Sequence, residues 1–146
     1  MSVLKIKKLN NNAKMPFRAT PGSAGMDLYA CLDQPVTIPP HEIRMIPTGI
    51  AIALESPDFV AYLYARSGLA IKHGIAPANC VGVIDSDYRG EVCAGLLNAT
   101  EKKFTIEPGE RIAQLVIAPV ILPEIEEVDE LDETQRGAGG FGSTGR

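Results

Sequence analysis

The sequence is poor in the residues that hold metals or close disulfides. It has three cysteines, Cys31, Cys80 and Cys93, an odd number without zinc-site spacing, and two histidines, His41 and His73, without neighbouring ligands at suitable spacing. We therefore expect neither a zinc centre nor a disulfide scaffold, and free thiols indicate a reducing, intracellular setting. Phosphate-binding glycine motifs of the Walker and dinucleotide types and the nucleophile-elbow pattern of serine hydrolases are also absent.

Long apolar runs and an excess of positive charge are lacking as well. No stretch approaches the roughly 20 apolar residues of a membrane span. The N-terminal lysines Lys5, Lys7 and Lys8 are not followed by the apolar segment of a signal peptide. The net charge is -4 at pH 7, which argues against a surface built to hold a polyanion such as duplex DNA. We expect a soluble intracellular protein without nucleic-acid or membrane partners.

Short strand-like segments separated by turns dominate the chain. Its 146 residues, 45% of them hydrophobic, suit one domain with an adequate core. Eleven prolines leave few intervals long enough for a substantial helix. Strands are predicted at residues 3–9, 50–54, 59–64, 91–97 and 112–118, with one short helix at 67–72 that Ser67 would cap. The pattern predicts an all-β sandwich or barrel.

The chain ends in a glycine-rich segment, residues 136–146, in which five glycines accompany Arg136, Phe141 and the adjacent Ser143 and Thr144. Such a segment cannot pack itself, so we expect it to stay mobile until a ligand offers anionic oxygens and a flat surface. It is therefore interpreted as a lid over a nucleotide phosphate. A flexible terminus without function is the alternative.

An acidic segment connects the lid to the rest of the chain. Seven of the ten residues from 124 to 133 are acidic, which favours a solvated arm over an acidic binding site. If extended, residues 122–135 could span up to about 46 Å, enough to place the lid on a neighbouring subunit.

Residues 79–91 are predicted to form a hairpin with Asp85 near its bend. Its backbone groups could pair with the edge of a pyrimidine, while Tyr88 could lie against a sugar and exclude an additional hydroxyl. Asp85, Asp87 and Gly90 are also ordinary turn residues, so a purely structural interpretation stays open at this point.

Two further segments offer groups for phosphate. Arg66-Ser67-Gly68 lies where a strand ends and the short helix begins, and Arg111 and Gln114 lie at the start of another strand. Helix capping and exposed charge are the alternative explanations. Asp27 is a single carboxylate within an apolar run, where it needs either a structural ion pair or a role in the site.

Taken in order, five segments resemble the motifs of the trimeric dUTPases: AGMDLYA (24–30), ARSGLA (65–70), GVIDSDYRGEV (82–92), GERIAQLVI (109–117) and RGAGGFGSTG (136–145). The resemblance implies a jelly-roll-like β fold with a core at 1–123 and a mobile arm and lid at 124–146. It also implies a homotrimer with sites at subunit interfaces, and hydrolysis of dUTP to dUMP and diphosphate with Mg²⁺. That reaction limits uracil incorporation into DNA and supplies dUMP for dTMP synthesis.

The resemblance also implies a role for each matching residue. Asp85 is the base that activates the attacking water, Tyr88 packs on deoxyribose, and Asp27 is linked through water to the metal region. Asn79, Gly82 and Val83 are implied around the uracil, and Arg66, Ser67, Gly68 and Gln114 are implied as phosphate contacts. Cys93 and Arg111 are further substrate-binding residues. The lid supplies Arg136, Phe141, Gly142, Ser143 and Thr144, where Phe141 stacks over uracil.

Two other functions remain open from sequence alone. A dCTP deaminase resembles this β fold and binds a similar nucleotide, and release of ammonia from dCTP would reveal it. A non-catalytic sensor would bind nucleotide without turnover and pass the signal to a protein partner.

Overall fold

The computed structural model describes residues 3–140, which form antiparallel strands and one short helix. The strands are β1 Lys5–Lys8, β2 Met26–Tyr29, β3 Val36–Ile38, β4 Ile43–Ala53, β5 Phe59–Tyr64, β6 Ile75–Pro77, β7 Gly82–Ile84, β8 Glu91–Asn98, β9 Phe104–Ile106 and β10 Arg111–Pro119, and the helix α1 is Ser67–His73. Among the described residues, no helix has the length and apolar character needed to cross a membrane.

The strands form two four-stranded sheets and one two-stranded ribbon. The first sheet has the order β1-β4-β8-β6, the second has the order β2-β10-β5-β7, and the ribbon pairs β3 with β9. Neighbouring strands are antiparallel throughout. The expectation of an all-β sandwich or barrel with one short helix is confirmed.

The core is built from side chains that alternate along the strands. In β8, Val92, Ala94 and Leu96 are buried while the residues between them are only partly buried, which is the period of two expected for a strand with one face on a core. Ile46 and Ile50 of β4 and Leu115 of β10 are fully buried in the same cluster. The intervening positions of β8 therefore face away from the core.

The five predicted strands correspond to β1, β4, β5, β8 and β10, but β4 is longer than expected. It begins at Ile43 and runs through Pro47 and Gly49, two residues that argue against a strand. The register of β4 on β8 shifts between Pro47 and Ala51, and Gly49 has a φ of 70°. A β-bulge thus accommodates both residues within one strand.

Two local expectations were wrong. Ser67 does not cap α1: the N-cap is Arg66, in extended conformation, and no side chain makes the capping hydrogen bond. Residues 79–91 are not a hairpin either, because β7 pairs with β5 whereas β8 pairs with β4 and β6. The turn carrying Asp85 therefore connects the two sheets.

The acidic segment is solvent-exposed, as the sequence indicates. Residues 121–140 are all exposed, and none of them belongs to a helix or strand. The amide of Val120 donates to the carbonyl of Asp58 (2.8 Å) and fixes the point where this segment leaves the body of the protein. The lid residues Phe141, Gly142, Ser143 and Thr144 lie outside the described residues.

Candidate functional site

Asp27 joins two arginines on the second sheet. Its Oδ1 accepts a hydrogen bond from Nε of Arg66 at 2.8 Å, and its Oδ2 accepts one from Nη1 of Arg111 at 3.1 Å. The Asp27 side chain is only 16% exposed, whereas those of Arg66 and Arg111 are 26% and 48% exposed. The structural ion pair considered for Asp27 is therefore present, and it brings both arginines to one place.

Strand pairing explains why these distant residues meet. β10 lies between β2 and β5, so that Gln114 is paired with Asp27 on one side and with Tyr64 on the other. Nε2 of Gln114 donates to the carbonyl of Ala65 at 2.9 Å, just before Arg66. Gln114 thus fixes the backbone from which the Arg66-Ser67-Gly68 segment leaves β5.

The close approach of Gln114 also requires Gly25. A methyl group at Gly25 would overlap Oε1 of Gln114 and lie 3.1 Å from its Cδ. Asp27, Arg66, Ser67, Gly68 and Gln114 line a cleft of about 190 Å³, called here the arginine cleft. With Arg111, its two guanidinium groups against one carboxylate leave one net positive charge, which suits anionic oxygens.

A second cavity of about 320 Å³ lies around the turn between β7 and β8 and is called here the Asp85 pocket. Its lining comprises Met45, Leu63, Asn79, Gly82, Val83, Ile84, Asp85, Tyr88, Glu91, Val92, Cys93 and Gly95. Asp85 is exposed, so its carboxylate is open to solvent and to a ligand. A pocket of this size with apolar walls and a few polar groups fits a planar nucleobase and its sugar.

The turn that carries Asp85 is held by its own backbone and by Arg89. The amide of Tyr88 donates to the carbonyl of Asp85 at 3.2 Å. Nη1 of Arg89 donates to the carbonyls of Ser86 (2.7 Å) and Tyr88 (2.9 Å). The carboxylate and the tyrosine are therefore presented from one braced loop.

Cys93 forms an uncharged part of the pocket wall. Burial raises the pKa of the Cys93 thiol, and the neighbouring carboxylate of Glu91 raises it further. The thiol is therefore protonated at neutral pH, and it offers a nucleobase a small apolar surface. The Glu91 carboxylate itself accepts a hydrogen bond from the amide of Gly49 at 2.8 Å and stabilises the bulge of β4.

The structure groups the predicted site residues into two separate sets. Asp27, Arg66, Ser67, Gly68 and Gln114 line the arginine cleft, with Arg111 bound to Asp27, whereas Asn79, Gly82, Val83, Asp85, Tyr88 and Cys93 line the Asp85 pocket, and the two linings share no residue. Arg136, the first residue of the lid, is exposed, and the predicted lid residues Phe141, Gly142, Ser143 and Thr144 lie outside the described part of the chain.

Sequence reasoning missed some of the pocket residues. Glu91 and Gly95 could have been found, since they occupy the same outward positions of β8 as Cys93. Met45 had no sequence signal, because its contact with the pocket depends on the register of β4 on β8, where it pairs with Gly95. Among residues 3–140, no group of three or more His, Cys, Asp or Glu side chains could hold a metal ion by itself.

Comparison with known proteins gives a consistent result. The family model of the dUTPases matches residues 11–145. The deoxyuridine 5'-triphosphate nucleotidohydrolase of Hahella chejuensis is 55% identical over 139 residues, which cover 95% of this chain and 91% of that protein.

Solved structures agree with the sequence relatives. A mutant dUTPase of Staphylococcus bacteriophage 80alpha, solved with dUpNHpp, superposes with a TM-score of 0.90 at 30% identity and covers 99% of both chains. A mutant dUTPase of the S. aureus phage phi11, described with a structural Mg(II) ion, superposes with a TM-score of 0.81 at 25% identity and covers 90% of this chain and 99% of that chain. The expected jelly-roll-like β architecture is thereby confirmed.

Proposed function

The chain belongs to the dUTPase family, and from this premise we propose that it hydrolyses dUTP to dUMP and diphosphate. The observation that carries the proposal is the Asp85 pocket, in which an exposed carboxylate and a tyrosine share a cavity of nucleoside size. The arginine cleft supplies the positive charge that a triphosphate requires. Consumption of dUTP would limit uracil incorporation into DNA, and its product dUMP is a precursor for dTMP synthesis.

The separation of the two clefts supports a homotrimer with sites at subunit interfaces. One chain carries the nucleoside-binding groups and the phosphate-binding groups in cavities that share no lining residue. A complete site then forms when the Asp85 pocket of one subunit faces the arginine cleft of another. The exposed arm, residues 121–140, would carry Arg136 and the lid to such a composite site.

Each side chain has a defined task in this proposal. Asn79 and the backbone of β7 bind the uracil edge, Tyr88 packs against deoxyribose and excludes a ribose hydroxyl, and Cys93 completes the wall. Arg66, Ser67, Gly68, Arg111 and Gln114 hold phosphate oxygens. In the lid, Arg136, Ser143 and Thr144 contact the γ-phosphate, while Phe141 stacks over the base and Gly142 allows the backbone to approach.

Mg²⁺ fits this arrangement as a metal carried mainly by the substrate. The described residues offer no cluster of three ligands, and Mg²⁺ commonly binds through phosphate oxygens and waters with few protein ligands. Asp27 would contact a metal-bound water, since each of its carboxylate oxygens retains a lone pair beside its arginine partner. Bound in this way, the ion would offset phosphate charge and act as a Lewis acid.

The chemical step needs a base, a water and charge neutralisation. Asp85 accepts a proton from the water, the water oxygen forms a bond to the α-phosphorus, and the bond from that phosphorus to the bridging oxygen breaks to release diphosphate. The arginines stabilise the charge that moves onto the leaving group. General-base assistance of this kind contributes about 10²- to 10⁴-fold to the rate.

The organisation of the chain follows the same proposal. The core at 1–123 contains every strand of the described residues, and the segment 124–146 serves as arm and lid of the same domain. The three free cysteines are in keeping with a soluble protein in a reducing intracellular compartment.

The proposal is tested by product analysis with dUTP, dTTP, dCTP and UTP in Mg²⁺ or EDTA. We expect dUMP and diphosphate from dUTP alone, and only with Mg²⁺. Ammonia from dCTP would instead indicate a deaminase, and binding without any product would indicate a sensor.

The assignment of the base is tested by Asp85→Asn. We expect it to retain binding of the analogue dUpNHpp and to lose about 10²- to 10⁴-fold in kcat. Asp87→Asn is the matched control, since Asp87 is exposed in the same turn and does not line the pocket. If Asp85→Asn turned over dUTP as fast as this control, Asp85 would have no part in the chemistry.

A further inference from the structure

We propose that Gly90 is a positioning residue for sugar selection, because it leaves the space in which the ring of Tyr88 lies. The inference rests on the proposed function, in which Tyr88 distinguishes deoxyribose from ribose. It adds a residue that touches neither the base nor the phosphates, and whose effect on the substrate passes entirely through the tyrosine.

The ring of Tyr88 folds back over its own turn. Its hydroxyl donates a hydrogen bond to the carbonyl of Glu91 at 3.0 Å, so that the side chain spans Arg89 and Gly90. A methyl group at Gly90 would lie 2.5 Å from Cζ and 2.9 Å from Cε2 of the ring, and closer still to the hydroxyl. Carbon atoms that are not bonded prefer separations of about 3.5 to 4.0 Å, so a side chain at position 90 and the ring in its present place exclude each other.

The backbone itself does not require glycine at this position. The glycines of residues 3–140 with positive φ are Gly49, Gly74, Gly109 and Gly137, and Gly90 is not among them. Gly90 is also exposed, and the three nearest atoms that a methyl group there would meet all belong to the side chain of Tyr88. The contact with Tyr88 therefore favours glycine at position 90. The sequence suggests a different reason, namely the general preference of turns for glycine.

The turn is held by several hydrogen bonds, whereas the Tyr88 ring is held by one. Arg89 holds the carbonyls of Ser86 and Tyr88, and the amide of Tyr88 is bound to Asp85. Tyr88 is 45% exposed, and within residues 3–140 one hydrogen bond, from its hydroxyl to the Glu91 carbonyl, holds the ring, so the ring yields before the backbone does.

Displacement of the ring changes what the pocket admits. The hydroxyl can no longer reach the Glu91 carbonyl, and the surface against which the sugar packs recedes or tilts. The groups around Asp85 remain in place, because their hydrogen bonds do not pass through the ring. We therefore expect Gly90→Ala to alter the choice between deoxyribose and ribose more than the rate with the preferred substrate.

The test compares kcat/KM for dUTP and UTP in the full-length protein. In Gly90→Ala the dUTP:UTP ratio should fall about tenfold or more, the range in which a pocket discriminates a small group. Gly22→Ala is the matched control, since no atom beyond the two adjoining residues lies within 4 Å of a methyl group there, and it should leave the ratio unchanged. Tyr88→Ala and the double variant Tyr88→Ala/Gly90→Ala complete a double-mutant cycle.

The cycle separates an effect through Tyr88 from a general structural effect. If Gly90 acts through the ring, adding Gly90→Ala to Tyr88→Ala changes the ratio no further. If Gly90→Ala keeps the wild-type ratio, or lowers it equally in both backgrounds, the inference is overturned. If Gly90→Ala fails to fold while the double variant folds, the overlap with the ring is supported; if both fail, the glycine serves the backbone and the inference is wrong.

Failure of the proposed function gives a different result. A wild-type protein that hydrolyses neither nucleotide overturns that function and this inference together. A wild-type protein that hydrolyses dUTP and rejects UTP, combined with an unchanged ratio in Gly90→Ala, overturns the role of Gly90 alone.

Discussion

Replacing Asp27 by asparagine tests whether the ion pairs of the arginine cleft stabilise the fold. Asparagine keeps the size of the side chain but removes its charge, and an amide NH₂ replaces one acceptor oxygen. One of the two arginines, Arg66 or Arg111, must then lose its hydrogen bond, and neither guanidinium retains a counter-charge on this side chain.

The size of the effect follows from the exposure of the three side chains. Removing one partner of a fully buried ion pair costs about 3–5 kcal/mol, and a hydrogen bond to a charged group contributes about 1.5–3 kcal/mol. The side chain of Asp27 is 16% exposed, but those of Arg66 and Arg111 are 26% and 48% exposed. Water can therefore replace part of the hydrogen bonding and charge stabilisation that the arginines lose. We expect a loss of about 2 kcal/mol per chain, or about 6 °C in Tm at this chain length.

The assay is thermal unfolding in EDTA without nucleotide, which isolates the ion pairs from any contribution of Asp27 to metal binding. Asp33→Asn is the matched control, because it makes the same charge change at an exposed carboxylate that takes part in none of the ion pairs found within residues 3–140. It should melt within about 1 °C of the wild type.

A Tm for Asp27→Asn that matches the Asp33→Asn control would refute this reasoning. It would show that water stabilises the two guanidinium groups as well as the Asp27 carboxylate does, as is common for exposed ion pairs. Asp27 would then matter only when a ligand is present.

The remaining predictions concern the arm and the pocket. Truncation before Arg136 should leave the fold and the assembly intact but nearly abolish turnover; gel filtration and dUTP assays check this, and a failure to assemble would show that the segment is structural. Iodoacetamide at pH 8 should modify exposed Cys80 well before Cys93, and dUpNHpp should slow the labelling of Cys93 further, as mass spectrometry can measure. Burial raises the pKa of the Cys93 thiol in the folded protein above its ordinary value of 9.0. The stability that the protonated thiol contributes is therefore complete below pH 9.0 and is lost as the pH rises through the raised pKa of the folded state. In a Cys93→Ala variant the free energy of unfolding should depend less on pH above about pH 9 than in the wild type.

The fold class could be predicted because it depends on local patterns. Proline spacing excluded long helices, and the alternation in residues 91–97 identified β8 with nearly correct bounds. The start of β4 could not be predicted in the same way, since Pro47 and Gly49 are tolerated only through a bulge that forms on pairing with β8. The hairpin prediction was wrong for a related reason: residues 82–84 find their partner in β5, and local sequence does not encode which sheet a short strand joins.

The chemistry of the site was visible in the residue types, but its geometry was not. Arginine, hydroxyl and glycine at 66–68 indicate anion binding from sequence alone. That Arg66 is held by Asp27, 39 residues away, follows only from the position of β10 between β2 and β5. In the same way, Gly90 is an ordinary turn glycine in the sequence and acquires its significance from the ring that lies over it.

The sequence by itself determined the all-β class, the family and the identity of the groups that we propose to contact the substrate, because these depend on composition, period and motif order along one chain. The tertiary structure decided which of those groups lie together in the same cleft. Antiparallel pairing placed Asp27, Arg66, Arg111 and Gln114 in one cleft and the Asp85 turn in another. Strand order and register are set by burial of side chains distant in sequence, so no local pattern could have specified that division.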